Sequence, residues 1–336
     1  MKKQIPLFLA GALLILLILE IVFRLLPVST ATRTGYHVHP LILTYPPHHC
    51  FTVSTGWDLK NAQRHCANNH GFLSENDFSF DPKAIALIGD SFVEANMLPA
   101  KERLDAQIET RLGGRSVYAM GGPGSSLLDY AQRAEYAAEK FGTTTFVFIL
   151  ERGDIKQVLC GSGNIHGPCL DAKSLEARTE LQPQPSRLKQ LARESALAQY
   201  VFSQLRFDLS RTLARLKRSS KTSTSSLSTD LPEATSEKIV TAFLERIKRI
   251  KNARFIFLID ADRASINAGK APNPSRDIEV FKAAVQSVGA TVLDPDSAFR
   301  SAVTQTGRVL EIGPYDRHWN VQAMAIVADQ LANVLQ

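Results

Sequence analysis

The sequence lacks the spacings by which zinc sites and nucleic-acid-binding modules are usually recognised. Neither Cys-x-x-Cys nor His-x-x-x-His occurs among its four cysteines and eight histidines, so no familiar zinc motif is present. The net charge is +6 and the isoelectric point is about 9.1, but the basic residues follow no nucleic-acid-binding motif. We therefore predict no nucleic-acid partner, and we assign the positive charge to solvated helix faces that could rest on anionic lipid headgroups. These basic residues include Arg206, Arg211, Arg215, Lys217, Arg218, Arg246, Lys248, Arg249 and Lys251.

Cysteines are few, and their number is even. Cys50, Cys66, Cys160 and Cys169 form the kind of set that makes disulfides in an exported protein. Four cysteines allow three pairings, of which the local one, Cys50–Cys66 with Cys160–Cys169, is favoured. The alternative is a metal site, because several histidines lie close to the first two cysteines, but an oxidising compartment favours the disulfides. We predict neither a metal ion nor a cofactor. The histidines in question are His48, His49, His65 and His70.

Charge is also absent from most of the N-terminal apolar run. Residues 5–19 carry no charged side chain, and a helix of about 20 apolar residues spans a bilayer. Glu20 and Arg24 follow four residues apart, a spacing at which they can pair on one helix face. Two interpretations compete, a transmembrane anchor over residues 1–28 and a signal peptide cleaved near 29–31. The length of the run favours the uncleaved anchor.

The charges that flank this run predict its orientation. Lys2 and Lys3 precede the apolar residues and are expected to stay on the cytoplasmic side. We therefore predict a single-pass protein of the inner (cytoplasmic) membrane. Residues beyond about 30 then face the periplasm or the exterior.

From residue 84 onward, apolar runs typical of strands alternate with helical patterns. This alternation predicts an α/β domain with a central parallel sheet of about five strands and helices on both faces. Residues 29–80 are predicted as a lead-in with a short hairpin that packs on the main domain, 81–336. An insertion at about 156–235 carries a basic helix over 185–218 and could be a lid, a partner-docking element or a passive insertion. The predicted strands are 85–89, 116–120, 144–150, 255–260 and 291–293, and the main helices are 126–140, 237–251, 276–288 and 320–335. Ser125 or Ser126 is predicted to cap the first of these helices, which Gly142 would end, and Ser236 is predicted to cap the second.

A serine stands directly after the first predicted strand. The apolar run that begins at Ile85 ends in Gly89-Asp90-Ser91, where the glycine permits a tight turn. Enzymes with parallel sheets present reactive groups at the carboxyl ends of the strands. Taken alone, Ser91 is better explained as a helix N-cap in an ordinary turn than as a nucleophile.

Two further motifs in the sequence favour a functional role for Ser91. Asp316-Arg317-His318 lies just before the last predicted helix, and Met120-Gly121-Gly122-Pro123-Gly124 follows the second strand. With Gly89-Asp90-Ser91, these motifs resemble in order and placement the SGNH (GDSL-type) esterase and acyltransferase family. The resemblance covers roughly residues 70 to 336. Each motif alone also fits a plain structural loop.

The resemblance implies a fold and a set of roles. The fold would be the three-layer α/β/α, flavodoxin-like arrangement of that family. Ser91 would be the nucleophile, His318 the base and Asp316 the carboxylate that orients the imidazole. The backbone N–H groups of Ser91 and Gly121 would bind the oxyanion.

This chain departs from the family pattern in three places, one of which is Ala119, two residues before Gly121, where asparagine is common. Gly153 occupies the position of an asparagine that would be the third oxyanion donor, so Arg152 or Asn164 is considered as a substitute. The Asp-x-His spacing is one residue shorter than usual and is similar to that of alginate O-acetyltransferase-type SGNH domains. This similarity favours acyl transfer on glycans.

These observations lead to a main hypothesis and an alternative. The main hypothesis is a membrane-anchored serine esterase or O-acyltransferase that acts on acyl esters of an envelope or exported polysaccharide. Polysaccharide-assembly proteins are possible partners. The alternative is a catalytically weakened SGNH-like protein that binds glycans or serves their assembly, which the missing asparagine would favour.

Overall fold

The structure is a computed structural model that divides into two compact units. We call them the α/β unit and the α1 unit. The predicted boundaries at residues 28 and 80 stay a prediction. The structure describes residues 4–162, 167–205, 230–313 and 316–336. The α/β unit contains the described parts of 34–49, 67–182 and 230–336, and the α1 unit contains those of 4–33, 50–66 and 183–205.

The strands and helices are numbered in chain order. The strands are β1 (Gly35–His39), β2 (Ile42–Thr44), β3 (Cys50–Thr55), β4 (Lys60–Cys66), β5 (Ile85–Gly89), β6 (Val117–Gly121), β7 (Thr145–Leu150), β8 (Pro168–Leu170), β9 (Ala177–Thr179), β10 (Arg254–Ile259), β11 (Thr291–Leu293), β12 (Glu311–Gly313) and β13 (Asp316–Trp319). The helices are α1 (Gln4–Leu25), α2 (Ser91–Glu94), α3 (Leu104–Arg111), α4 (Leu127–Phe141), α5 (Asp154–Gln157), α6 (Arg187–Glu194), α7 (Ala196–Ala198), α8 (Glu233–Ile247), α9 (Arg263–Asn267), α10 (Arg276–Ser287), α11 (Asp296–Thr306) and α12 (Val321–Leu335). A 3₁₀ turn covers Ala100–Glu102, and α7 continues as a π-helix over Gln199–Gln204.

A five-stranded parallel sheet forms the centre of the α/β unit, in the order β11-β10-β7-β5-β6. All five strands predicted from the sequence are present, with bounds within one residue. The chain enters at β5, moves to β6 on one side and then crosses to β7 on the other. A crevice therefore opens at the carboxyl end of β5, which is where ligands bind in open α/β sheets.

Side chains of the sheet alternate between two apolar layers. Ile85 and Leu87 pack in one layer with residues of α3 and α12. Ala86 and Ile88 pack in the other with residues of α4, α8 and α10. Successive strand residues point to opposite faces, so both faces are covered by helices. The predicted three-layer α/β/α arrangement is confirmed.

The helix boundaries agree less uniformly with the prediction. Ser126 caps α4 as expected, and Gly142 ends it in the left-handed region with φ 70°. Ser236 was predicted to cap the next helix, and that prediction is wrong. α8 begins earlier, after Pro232, and the Ser236 hydroxyl donates to Asp277 Oδ1 at 2.6 Å inside the core.

The segment after residue 183 differs from the single basic helix predicted there. α6 ends at Glu194. The next residue, Ser195, has an extended backbone, and its side chain accepts from Ala198 N to cap α7. An extended residue cannot continue a helix, so the chain restarts in a new direction. This segment belongs to the α1 unit. The rest of the predicted helix and the Ser/Thr-rich stretch that follows it, 206–229, lie outside the described residues.

The lead-in forms two hairpins, whereas the sequence predicted one. β1 pairs with β2 in the α/β unit, and β3 pairs with β4 in the α1 unit. Both disulfides follow the local pairing: Cys50–Cys66 and Cys160–Cys169. Their sulfurs are thereby oxidised and are not thiolate ligands for a metal.

The N-terminal helix has the length and composition of a membrane span. α1 has 22 residues with a mean hydropathy of 2.8 in its most apolar stretch. Its length is about 33 Å at 1.5 Å per residue, close to the hydrocarbon thickness of a bilayer. The predicted pairing within the helix is present, because Arg24 Nε donates to Glu20 Oε1 at 2.7 Å.

Candidate active site

Ser91 is presented at the carboxyl end of β5 as the first residue of α2. The turn before it needs a glycine, because a Cβ on Gly89 would lie 2.5 Å from Val93 Cγ2 and 3.0 Å from the Ile149 carbonyl oxygen. Asp90 caps α2, and its Oδ1 accepts from Phe92 N at 2.9 Å. These contacts fix the direction in which the serine side chain leaves the sheet.

Asp316 and His318 lie on β13, a short strand that forms an antiparallel hairpin with β12. The sequence placed them on a loop before the last helix, so the prediction is corrected in this respect. Residues two apart on a strand point to the same side. Asp316 Oδ1 accordingly accepts from the His318 backbone N at 3.0 Å and contacts His318 Nδ1 at 2.6 Å.

The structure brings the serine and the histidine together across the sequence. His318 Nε2 lies 2.7 Å from Ser91 Oγ, although the two residues are 227 positions apart. The His318 side chain is partly buried, with 28% of its surface exposed. The hydrogen bond from His318 lowers the pKa of Asp316 below its usual value. The carboxylate is therefore ionised at neutral pH, and its Oδ1 is placed to accept a hydrogen bond from Nδ1.

Burial dominates the electrostatics behind the serine. It raises the pKa of Asp90 to about 6 and the pKa of Asp154 well above its usual value, with the Asp90 charge adding to the second shift. The Asp154 carboxyl accepts at 2.8 Å from both Tyr130 Oη and Glu151 N. These bonds hold the loop after β7 in place beside the serine.

A second set of residues, which sequence reasoning missed, supports the histidine. Asp260 directly follows β10, and its Oδ1 accepts from Trp319 Nε1 at 2.8 Å. Arg263 Nε donates to Asp260 Oδ2 at 3.0 Å, and its guanidinium carbon lies 5.3 Å from the centre of the Phe92 ring. That ring packs 5.0 Å from the His318 ring. The position of Asp260 directly after a buried strand was a signal that could have been used.

A cavity of about 510 Å³ opens in front of Ser91 and His318. It is open enough for a polar substrate to enter from solvent, and it combines carboxylates with three arginines. Its walls include Gly124, Glu151, Arg152, Gln157, Asp262, Arg263, Glu311 and Arg317.

Gly121 and Gly153 do not line this cavity. A Cβ on Gly121 would lie 2.3 Å from the backbone N of Glu94, so this glycine allows α2 to pack directly against β6. Gly124 of the same loop does line the cavity, in the left-handed region with φ 73°.

Gly153 precedes α5 and leaves space for a neighbouring side chain. Its backbone N donates to Glu151 Oε2 at 2.5 Å. A Cβ on Gly153 would lie 3.4 Å from Nε2 of Gln157, whose side chain lines the cavity. The Gln157 amide makes no hydrogen bond to any residue that the structure describes, so it is available to a ligand.

The two substitutes considered for the missing asparagine have different outcomes. Arg152 lines the cavity, but its guanidinium donates to the Asn273 carbonyl at 2.9 Å. Asn164 lies outside the described residues.

Comparisons with known proteins add structural likenesses only. No family model matches the chain, and no curated protein sequence matches it. A lipolytic protein of the G-D-S-L family from Veillonella parvula is 12% identical with a TM-score of 0.41, covering 75% of this chain and 97% of its own. A catalytic mutant of Axe2, an acetylxylan esterase from Geobacillus stearothermophilus, is 11% identical with a TM-score of 0.41, covering 76% and 95%. LAE5, an alpha/beta hydrolase from the metagenome of Lake Arreo, is 14% identical with a TM-score of 0.42, covering 77% and 96%. Likenesses at this level do not identify an activity, so the function must rest on the site itself.

Proposed function

We propose that this protein is a serine esterase or O-acyltransferase with Ser91 as nucleophile, His318 as base and Asp316 as the carboxylate that orients the base. One observation carries the proposal. The His318 imidazole contacts Ser91 Oγ at 2.7 Å through Nε2 and Asp316 Oδ1 at 2.6 Å through Nδ1. A serine hydroxyl is a weak nucleophile at neutral pH and needs an adjacent, oriented base of this kind.

The reaction then proceeds in two acyl transfers. Ser91 Oγ attacks the ester carbonyl while its proton passes to His318 Nε2. The tetrahedral intermediate collapses, and the leaving alcohol takes that proton as its bond to the acyl carbon breaks. Water or a second alcohol then attacks the acyl-enzyme through the same base, and the proton returns to Ser91 Oγ.

Three donors are proposed for the oxyanion that forms in each step. The first is the backbone N–H of Ser91, as inferred from the sequence. The second is the backbone N–H of Gly124. We propose Gly124 instead of Gly121, because Gly124 lines the cavity and Gly121 packs against α2. For the third, we propose the side-chain amide of Gln157, which lies beside the space that Gly153 leaves open. Donors of this type supply much of the rate enhancement in acyl transfer.

The proposed substrate is an acyl ester on an envelope or exported polysaccharide. Two disulfides and an N-terminal helix long enough to span a bilayer support an exported, membrane-anchored protein. The polar, arginine-containing cavity suits a carbohydrate better than a long acyl chain. The inner-membrane location, with the α/β unit on the periplasmic or outer side, and partner proteins of polysaccharide assembly belong to the same proposal.

Hydrolysis of p-nitrophenyl acetate tests this function. We expect Ser91→Ala to lower kcat by about 10⁴-fold or more, because the nucleophile is removed. Ser287→Ala, at an exposed serine on the last turn of α10, is the matched control and should be unchanged. A wild type without activity would favour the binding or assembly protein instead.

The same assay separates hydrolase from transferase. Adding oligosaccharide acceptors to the wild type should divert acetyl groups from water to sugar if the protein is a transferase, because both compete for one acyl-enzyme. Release of acetate that acceptors leave unchanged would indicate a hydrolase.

A further inference from the structure

The α1 unit ties the end of the apolar helix to a distant part of the chain. The Glu20 carboxylate accepts from Ser195 Oγ at 2.7 Å and from the backbone N of Ala196 and Leu197 at 3.0 Å each. Arg24 donates to the Glu194 carbonyl at 3.1 Å. α6 and α7 therefore meet α1 within its last two turns, at the level where a membrane-spanning helix leaves the hydrocarbon.

Aromatic side chains continue this contact toward the β3–β4 hairpin. The Phe23 ring stacks on Tyr200 with 4.3 Å between centres, and Tyr200 Oη donates to the Trp57 carbonyl at 2.9 Å. Trp57 is 72% exposed at the tip of the hairpin. Tryptophan and tyrosine at the end of a membrane-spanning helix are typical of the bilayer–water interface.

Residues 29–31, where the alternative interpretation places signal-peptide cleavage, are part of the same arrangement. Thr30 N donates to the Thr52 carbonyl at 2.9 Å, and Ser54 N donates to Ser29 Oγ at 3.0 Å. The residues after α1 thus pair with β3. Cleavage after Ala31 would remove Ser29 and Thr30, and with them both of these bonds.

α6 presents exposed apolar and basic side chains next to this junction. Leu188 and Leu191 are 77% and 69% exposed, and Phe202, in the π-helical turn, is 57% exposed. Lys189 and Arg193, four residues apart on α6, line a groove of about 500 Å³ with Thr30, Thr32 and Phe202. Neither cation has an ion-pair or hydrogen-bond partner among the residues that the structure describes. Glu194 does not neutralise them, because its carboxylate is held by Arg33 at 2.6 Å.

We propose that this groove binds the phosphate of an anionic phospholipid through Lys189 and Arg193, with Leu188, Leu191, Phe202 and Trp57 resting in the interfacial layer of the bilayer that α1 spans. We call these six residues the interfacial surface. Exposed apolar side chains beside unpaired cations are the composition by which interfacial helices bind anionic membranes. The occupant is a lipid because the groove adjoins the end of α1. The inference does not depend on the esterase activity.

Lipid binding to the full chain tests whether Lys189 and Arg193 bind the phosphate of the lipid. The protein in detergent is mixed with phosphatidylglycerol or phosphatidylcholine, and bound lipid is measured by native mass spectrometry. The wild type should retain phosphatidylglycerol preferentially, and the double variant Lys189→Gln/Arg193→Gln should retain about tenfold less of it. Lys248→Gln/Lys251→Gln, exposed lysines of the α/β unit, is the charge-matched control. Equal retention in both double variants would overturn the proposal, as would displacement of the lipid by inorganic phosphate at matched concentration.

Tryptophan fluorescence independently tests whether Trp57 lies in the interfacial layer of the bilayer. The chain has two tryptophans, Trp57, which is exposed, and Trp319, which is fully buried. In vesicles of phosphatidylglycerol and phosphatidylcholine brominated near the carboxyl end of the acyl chain, wild-type emission should be quenched, and Trp57→Phe should lose that quenching. Quenching that persists in Trp57→Phe, or its absence in the wild type, would contradict an interfacial position.

Discussion

Gln157, the proposed third oxyanion donor, would act beside the position where the family pattern has an asparagine. Gly153 has no side chain to offer an oxyanion, yet the Gln157 amide lies 3.4 Å from the place where a Cβ on residue 153 would be. One turn of α5 brings the two positions to the same side. The amide is unbonded among the described residues, so no competing partner has to be displaced when a substrate enters.

Replacing this amide should slow the reaction without removing the triad. We expect Gln157→Ala to lower kcat by about 10²–10³-fold with KM little changed, because an oxyanion donor acts mainly in the transition state. Steady-state kinetics with p-nitrophenyl acetate measures both constants.

A second substitution distinguishes this role from a structural one. In the Gln157→Ala background, Gly153→Asn should restore much of kcat, because an amide returns to the same space and the nearest obstacle is the flexible end of the Glu151 side chain. A wild-type kcat for Gln157→Ala, or a loss that Gly153→Asn leaves untouched, would speak against Gln157 as a donor.

We expect Asp316 to act on the reaction by setting the tautomer of the His318 imidazole. In Asp316→Asn, the amide can donate to Nδ1, which favours the tautomer whose Nε2 carries the proton and cannot accept one from Ser91. We expect kcat to fall by about 10³–10⁴-fold. Asp294→Asn, an exposed carboxylate that pairs with Lys282, is the control. A loss below about tenfold would show that Asp316 does not set the tautomer.

Short motifs mark Ser91, Asp316 and His318 in the sequence, and in the structure their side chains are in contact. Asp260 and Arg263 lie only three positions apart, but Trp319 reaches Asp260 across 59 positions from β13, so no short motif joins the three residues. Gly121 was predicted as an oxyanion donor from its motif alone. Which glycine lines the cavity depends on the course of the whole loop after β6, and the motif does not contain that information.

At the scale of elements, α2 carries a buried acid at its end. The Glu94 carboxyl accepts from Tyr45 Oη at 2.7 Å and from Asn96 Nδ2 at 2.6 Å. Burial nevertheless raises its pKa from 4.5 to about 7. Ionising this group in the folded protein therefore costs more than ionising it in the unfolded chain.

Because the pKa of Glu94 is raised on folding, its contribution to the free energy of unfolding falls as the pH rises. The folded protein binds the proton more tightly, so the contribution of Glu94 is fully present below about pH 4.5 and is lost as the pH rises toward about 7. The shift corresponds to about 3 kcal/mol of unfolding free energy. We expect Glu94→Gln to flatten the decline of stability over this range by an amount of that order.

Denaturant unfolding of the full chain in detergent, at several pH values, measures the effect. Glu139→Gln, whose side chain is 76% exposed, should keep the wild-type pH profile. Parallel profiles for the wild type and Glu94→Gln would contradict the assignment.

The elements of the sheet were more predictable than those around it. The strands β5, β6, β7 and β10 are continuous apolar runs, and burial on both faces leaves that signal in the sequence. Helix starts are weaker signals, since Ser236 looks like a cap but bonds to Asp277 from inside α8. At the break after α6, Ser195 Oγ donates to Glu20 of α1, a contact across 175 positions that no local pattern contains.

At the scale of the whole molecule, sheet topology determines which distant residues meet. β5 lies between β6 and β7, so the residue after β5 faces the crevice that the later elements complete. That crevice receives His318 from a hairpin 227 positions further along the chain. Alternation of strands and helices predicted this architecture. The grouping of 50–66 and 183–205 with α1 was not predictable, because it depends on hydrogen bonds between segments far apart in sequence.

The proposed function requires that Ser91 is a nucleophile activated by His318. Reaction of the full chain with a fluorophosphonate, followed by mass mapping of the adduct, tests this claim most directly. We predict a single adduct on the peptide that contains Ser91, lost in Ser91→Ala and slowed by orders of magnitude in His318→Ala. An adduct on another residue, or equal labelling of wild type and His318→Ala, would contradict it.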